Sequence, residues 1–179
     1  MIENIIFLIV GISVFALLTY IIFVLLYSML FGAPYAVTSE NRINIMLDML
    51  QLTKKDKLVD LGSGDGRIVI AAAKRGIKSY GYEMNPILVL ISRNNIRKQK
   101  LENRAKIYWK SYWNISLKDY SVITVFGIKH IMPSLKKKLE KELRGGERIV
   151  SNHFKFPKWK EVKKRDNLYL YRMPIQDWD

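Results

Sequence analysis

Cysteine is absent from the 179 residues, and histidine occurs twice, at His130 and His153. The first absence excludes disulfide frameworks, thiolate zinc sites and cysteine nucleophiles. The second leaves no set of imidazoles for a histidine-rich metal centre, so no metal site is expected. Acidic residues are sparse, 16 against 30 Lys and Arg, for a formal net charge of +14. Charge of either sign is missing between Glu3 and Glu40, a run of 36 residues, and no basic residue precedes Arg42. Length and this uneven composition fit one basic domain with an apolar appendage.

Residues 5–30 are almost unbroken Ile, Leu, Val, Phe and Met. As a helix they would run about 39 Å at 1.5 Å per residue, and roughly 20 such residues cross a bilayer. A secretory signal would need a basic start and a shorter apolar core, and Met1-Ile2-Glu3 has no basic side chain. We therefore expect one transmembrane anchor at residues 1–31 and a folded body at 32–179. Arg42, Lys54 and Lys55 follow the span and nothing basic precedes it, which places the body on the cytoplasmic side, where soluble cofactors are supplied. The strongly basic body suits an anionic lipid surface, a phosphate backbone, or simple solvation.

Along the body, strand and helix patterns alternate. Strands are expected at 57–61, 79–83, 106–109, 122–126 and 148–151, with helices at 68–74, 86–100 and 133–143 between them. Thr38-Ser39-Glu40 offers a helix cap ahead of Ile43, Met46, Leu47 and Leu50. Two further strands, 161–164 and 167–172, with a turn at Arg165-Asp166, have no helix between them and read as a hairpin. The fold class is therefore α/β, a doubly wound parallel sheet closed by an antiparallel hairpin. Trp109 and Trp113 are expected to pack against the sheet.

The most informative stretch is Val59-Asp60-Leu61-Gly62-Ser63-Gly64-Asp65-Gly66-Arg67, where the first strand turns into the first helix. Glycines there allow a ligand close to the backbone at the carboxyl end of the strands. Glu83 ends the second strand, where a carboxylate accepts both hydroxyls of a ribose. Asp60, directly before the loop, would repel a pyrophosphate and attract the ammonium and sulfonium of S-adenosylmethionine (SAM). The spacing Gly-x-Gly-x-Gly also departs from the dinucleotide pattern Gly-x-Gly-x-x-Gly.

The segment from Asp60 to Arg67, followed by Tyr82-Glu83-Met84-Asn85-Pro86, resembles the class I SAM-dependent methyltransferases, whose sheet is Rossmann-like. More narrowly, the chain resembles the small protein-lysine methyltransferases of archaea and their membrane-anchored mitochondrial relatives. Pro34-Tyr35-Ala36-Val37-Thr38 is similar to that family's Pro-Tyr-Val-Pro-Thr, and Ser151-Asn152-His153-Phe154 to its Ser-His-acid-Phe. Residues 119–126 and 168–171 are similar to its fourth and last strands. The resemblance spans residues 33–173 and implies that Tyr35, Thr38, Asp60, Gly62, Ser63, Gly64, Asp65, Glu83, Met84 and Tyr112 contact SAM. Ser111-Tyr112 stands where the family has Gly-Asp or Gly-Asn, so adenine would be held by stacking or by backbone. Asn152 and His153 also depart from the pattern beside the acceptor.

A lysine acceptor must lose its proton against an ordinary pKa of about 10.4, which an apolar aromatic channel favours. Tyr35, Phe126, Phe154 and Trp159 are the candidates to line it. The implied function is lysine methylation in a protein, including one embedded in or resting on the same membrane. Methylation of RNA or of a membrane-associated small molecule, and an inactive SAM-fold binding module, are the alternatives. Base amino-group methylases carry Asn/Asp-Pro-Pro-Tyr/Phe after the fourth strand, whereas Phe126-Gly127-Ile128-Lys129 stands here.

Overall fold

The computed structural model describes residues 2–31 and 38–174, and the chain divides into two units, Met1–Pro34 and Tyr35–Asp179. In the first, α1 (Ile2–Phe31) is a continuous helix. Its stretch Glu3–Val24 is long and apolar enough to cross a membrane and has none of its surface buried. Ser13 and Thr19 within it satisfy their hydroxyls on their own helix: Ser13 Oγ donates to the Ile9 carbonyl at 2.8 Å and Thr19 Oγ1 to the Phe15 carbonyl at 3.0 Å. That back-bonding removes the cost of carrying them in an apolar setting.

The second unit is built on a seven-stranded mixed sheet. In chain order its elements are α2 (Glu40–Met49), β1 (Lys57–Leu61), α3 (Arg67–Lys74), β2 (Lys78–Glu83), α4 (Pro86–Lys98) and β3 (Ala105–Trp109). A single 3-10 turn (Tyr112–Asn114), β4 (Val122–Val125), α5 (Met132–Glu142), β5 (Arg148–Asn152), β6 (Lys163–Arg165) and β7 (Leu168–Arg172) complete it. The strand order is β3-β2-β1-β4-β5-β7-β6. Strands β1 to β5 are parallel, while β7 runs antiparallel to both β5 and β6. This is the Rossmann-like arrangement, with the order reversing between β1 and β4, where such sheets open a crevice.

Period-two alternation sorts each strand between two cores. Leu58, Val122, Val150 and Leu168 point to one face and pack with Ile43, Met46 and Leu47 of α2. Val59, Leu61, Ile123 and Ile149 point to the other and pack with Leu135 and Leu139 of α5. A third cluster joins Val69 and Ala73 of α3 to Val89 and Ile96 of α4 over Ile107. The helices begin where the sequence offers acceptors for their free amides: Ser39 Oγ accepts from Arg42 N, and Asn85 Oδ1 from Ile87 N and Leu88 N, with Pro86 in the first turn. Below β1, the Arg148 guanidinium pairs with the buried Asp56 and donates to the Leu50 carbonyl at 2.6 Å.

Two expectations need correction. The hairpin turns at Asp166-Asn167, both left-handed at φ 47° and 59°, one residue later than the sequence suggested. Arg165 pairs with Leu168, and a two-residue loop in that geometry suits Asp and Asn. Trp109 does not pack under the sheet; it is 60% exposed on edge strand β3, and its indole is turned to donate to the Met84 carbonyl at 3.0 Å. Trp113 does pack against the α5-side core.

Candidate functional site

Where β1 ends, the chain reverses through Gly62, Gly64 and Gly66 at φ +82°, +54° and +81°, a left-handed succession that side chains with a Cβ resist. The loop is pinned to the neighbouring strand: the amides of Gly62 and Ser63 donate to the Tyr82 carbonyl at 2.9 and 3.1 Å. Ser63 Oγ is buried with no hydrogen-bond partner. A Cβ on Gly62 would meet nothing within 4 Å, so the loop lies open on that side.

Glu83 closes the end of β2. Its Oε2 accepts from Gly64 N at 2.9 Å, and its Oε1 from Met84 N and Asn85 N at 2.8 Å each. These three amides hold the carboxylate against the loop. Asp60 lies one strand over, 3% exposed, accepting from Thr124 Oγ1 of β4 at 2.7 Å. Burial pushes its carboxyl up to about 7; the Thr124 hydrogen bond opposes this, and the negative charges of Glu83 and Asp65 add to it. Such a carboxyl is poised to take a cationic partner.

Asp65 is engaged by Arg67, whose Nη2 lies 2.6 Å from Oδ2. Arg67 Nη1 in turn donates to the Thr38 carbonyl at 2.8 Å. Thr38 Oγ1 accepts from Asn152 Nδ2 at 3.3 Å, and Asn152 Oδ1 accepts from Arg42 Nε at 2.7 Å. A polar chain thus joins the glycine loop, the segment before α2 and the end of β5. Tyr112 is buried after β3 against Trp113, and burial, with the Glu83 charge, pushes its phenol up to about 12, so it stays a neutral hydroxyl.

Of the expected channel residues, two neighbour His153: Phe126 meets its ring edge to face at 5.6 Å, and the Phe154 ring lies 6.3 Å from it. His153 holds a left-handed φ of 74°, with its amide donating to the Asn167 carbonyl at 2.9 Å. Trp159 is placed elsewhere, packed on Phe156 and Tyr171, with its indole donating to Glu140. Tyr35 lies outside the described residues. Sequence reasoning misses Gly81, Thr124 and the Arg67-Thr38 link. A glycine inside a strand, where another part of the chain comes close, is the signal available for Gly81; a Cβ there would lie 2.6 Å from Ser63 Cβ.

Against known proteins, residues 60–163 match the ANTKMT methyltransferase domain. The chain belongs to this family. It is 36% identical over 148 residues to the Protein-lysine N-methyltransferase of Saccharolobus islandicus, covering 77% of this chain and 92% of that protein. It is 37% identical over 130 residues to the Adenine nucleotide translocase lysine N-methyltransferase of Mus musculus, covering 72% of this chain. The chain spans 56% of the mouse protein's length, and 58% of the length of a lysine N-methyltransferase of Rattus norvegicus that is 42% identical over 126 residues. Among solved structures, an RNA methyltransferase from Salinibacter ruber in complex with S-adenosyl-L-homocysteine superposes with a TM-score of 0.76 at 27% identity, over 79% of this chain and 95% of that one.

Proposed function

We propose that this protein is a membrane-anchored, SAM-dependent protein-lysine N-methyltransferase, with residues 1–31 as anchor and 32–179 as the methyltransferase domain. The observation that carries the reading is the 36% identity to the archaeal protein-lysine N-methyltransferase across 92% of its length, on a fold whose glycine loop keeps both acids. The site suits SAM on its own chemistry. Asp60 supplies a buried carboxylate for a cation, Glu83 an anchored acceptor for ribose, and Ser63 Oγ an unmatched buried hydroxyl. Gly62 and Gly64 would let the ligand approach the backbone, and Met84 and the neutral Tyr112 are the residues that would hold the adenine.

SAM, when bound, supplies a methyl group already activated by positive sulfur. The protein's part is alignment and exclusion of water. Asp60 counters the charge of the amino acid end; Phe126 and Phe154 give the acceptor amine an apolar approach that favours its neutral form. His153 is exposed beside Phe126 at the outer edge of that approach, and the acceptor gives up its proton to solvent there, outside the apolar part. Phe126→Ala is expected to leave SAM affinity unchanged while lowering kcat by about 10²-fold through a misplaced acceptor, read by steady-state kinetics on a lysine peptide. Titration of the full chain in detergent with SAM tests the cofactor assignment: saturable binding supports it, and none to a folded protein overturns it.

The length and apolarity of α1 support a single span, and Arg42, Lys54 and Lys55 after it support a body on the SAM-containing side. An acceptor in or on the same membrane would gain effective concentration from the tether. Deleting residues 1–31 should leave activity on soluble peptide intact and lower it on membranes by about 10²-fold; equal loss on both would remove the tethering role. A second reading, methylation of RNA, is favoured by the Salinibacter ruber neighbour and by the basic body, and is separated from the first by the identity of the labelled product.

A further inference from the structure

The outer side of α4 is unlike any other helix face of the methyltransferase unit. Its inner side, Val89, Ser92 and Ile96, is buried. On the opposite side Ile87 is 55%, Leu90 66% and Ile91 42% exposed. These positions and Asn94, Arg97 and Lys98 follow at i+3, i+4, i+7, i+10 and i+11, so all six share one face. The face is apolar in its first two turns and basic in its last. Trp109, also largely exposed, donates its indole N–H to the Met84 carbonyl, which sets the ring beside the loop that leads into α4.

Charge around this face has one sign. From Met84 to Lys118 the chain contains a single acid, Glu102, against Arg93, Arg97, Lys98, Lys100, Arg104, Lys106, Lys110 and Lys118. Arg93 is occupied, donating to the Ile107 carbonyl at 3.0 and 2.9 Å. Among the described residues no ion pair involves Arg97, Lys98, Lys100 or Lys110. A second copy of the chain would set cation against cation.

We infer that the outer face of α4, together with Trp109, is the surface through which the methyltransferase unit rests on an anionic lipid bilayer. Leu, Ile and Trp side chains suit the boundary between headgroups and acyl chains, and the basic turn suits the anionic headgroups. The turn that follows Glu83 and carries Met84 leads into α4, so docking would hold the mouth of the cofactor site at the membrane surface, where an embedded acceptor presents its lysine. The inference rests on the membrane reading proposed above and adds to it the face that meets the lipid.

The absence of cysteine makes a test direct, since each introduced thiol is unique. Full-length Leu90→Cys, Phe15→Cys and Lys137→Cys would each carry an environment-sensitive fluorophore. They would be reconstituted in vesicles of phosphatidylcholine, with or without phosphatidylglycerol, containing nitroxide-labelled lipid. The Leu90 probe is expected to be quenched several-fold more in the anionic vesicles than in the neutral ones, and the Lys137 probe, on α5 across the sheet, in neither. Arg97→Gln with Lys98→Gln should erase that preference. Quenching at Phe15 with none at Leu90 would overturn the docking face and leave the anchor standing. No quenching at Phe15 would remove the membrane reading and the inference with it. A Leu90 probe shielded from aqueous iodide yet untouched by lipid nitroxide would show a protein on this face, and would overturn the lipid assignment.

Discussion

Asp60→Asn is expected to weaken SAM binding by about 10²-fold at pH 8, the scale of removing one partner of a buried charge-assisted contact, and to make the remaining affinity independent of pH. The reason lies in the raised carboxyl, at about 7 in the free protein. A bound cation favours the ionised form, so below pH 7 binding must first expel a proton, and log Kd of the native protein should worsen by about one unit per pH unit. Above pH 7 it should level. The variant, neutral at every pH, should show a flat profile that meets the native curve at the acid end.

Stability should move the opposite way. Because the folded pKa of Asp60 lies above its ordinary value of 3.8, the protonated side chain favours the folded state. That contribution is complete below pH 3.8 and is lost as pH rises through about 7. The loss has an upper bound of about 4 kcal/mol from the size of the shift. Asp60→Asn removes the ionisation, so the ligand-free variant should melt above the native protein at pH 8, by less at pH 5, and close to it only below about pH 4. A variant that lost binding and stability together would point instead to a damaged fold.

Gly81→Ala should harm both. Its new Cβ would sit 2.5 Å from Ile107 Cδ1 and 2.6 Å from Ser63 Cβ. The isoleucine methyl can turn away, but Ser63 is short, and its own amide is tied to the Tyr82 carbonyl, so the glycine loop must shift. Overpacking of this kind costs about 1–3 kcal/mol, or roughly 2–4 °C of Tm per kcal/mol in a domain of this size. SAM affinity should fall at least about tenfold. Gly146→Ala is the control. Its φ of +88° makes alanine strained, yet nothing lies within 4 Å of the added Cβ, and the residue follows α5, away from the loop. It should cost about 1 kcal/mol of stability and leave affinity unchanged, as melting curves and titrations of both variants would show.

These two sites mark how far the sequence could be read. Asp60, the glycines after it and Glu83 were legible because the chemistry lies in local order: acid, tight turn, helix, and a second acid at the end of the next strand. The alternation of strands and helices was legible for the same reason, since the buried runs of β1 and β4 have no polar positions except Asp60 and Thr124. Gly81 announced only that something came close, not that it was Ser63. Thr124 meets Asp60 because the sheet places β4 beside β1, and Asn152 at the end of β5 meets Thr38 and Arg42 around the start of α2; no spacing in the chain encodes either.

Aromatic residues were the least legible. Trp159 had the same character as Phe126 and Phe154, but the turn after β5 carries it onto Phe156 and Tyr171. Trp109 looked like core by composition, and its place on the edge strand made it surface. The stretch around Tyr35 lies outside the described residues, so its expected part in the site stays a proposal.

The most direct test of lysine methylation follows the methyl group. Full-length protein and its Asp60→Asn variant would be incubated with methyl-labelled SAM and membranes of the source organism, and the products hydrolysed to single residues. The expected result is label in methyl-lysine with the native protein and its loss with the variant. Label in RNA or lipid with none in lysine would contradict the lysine assignment.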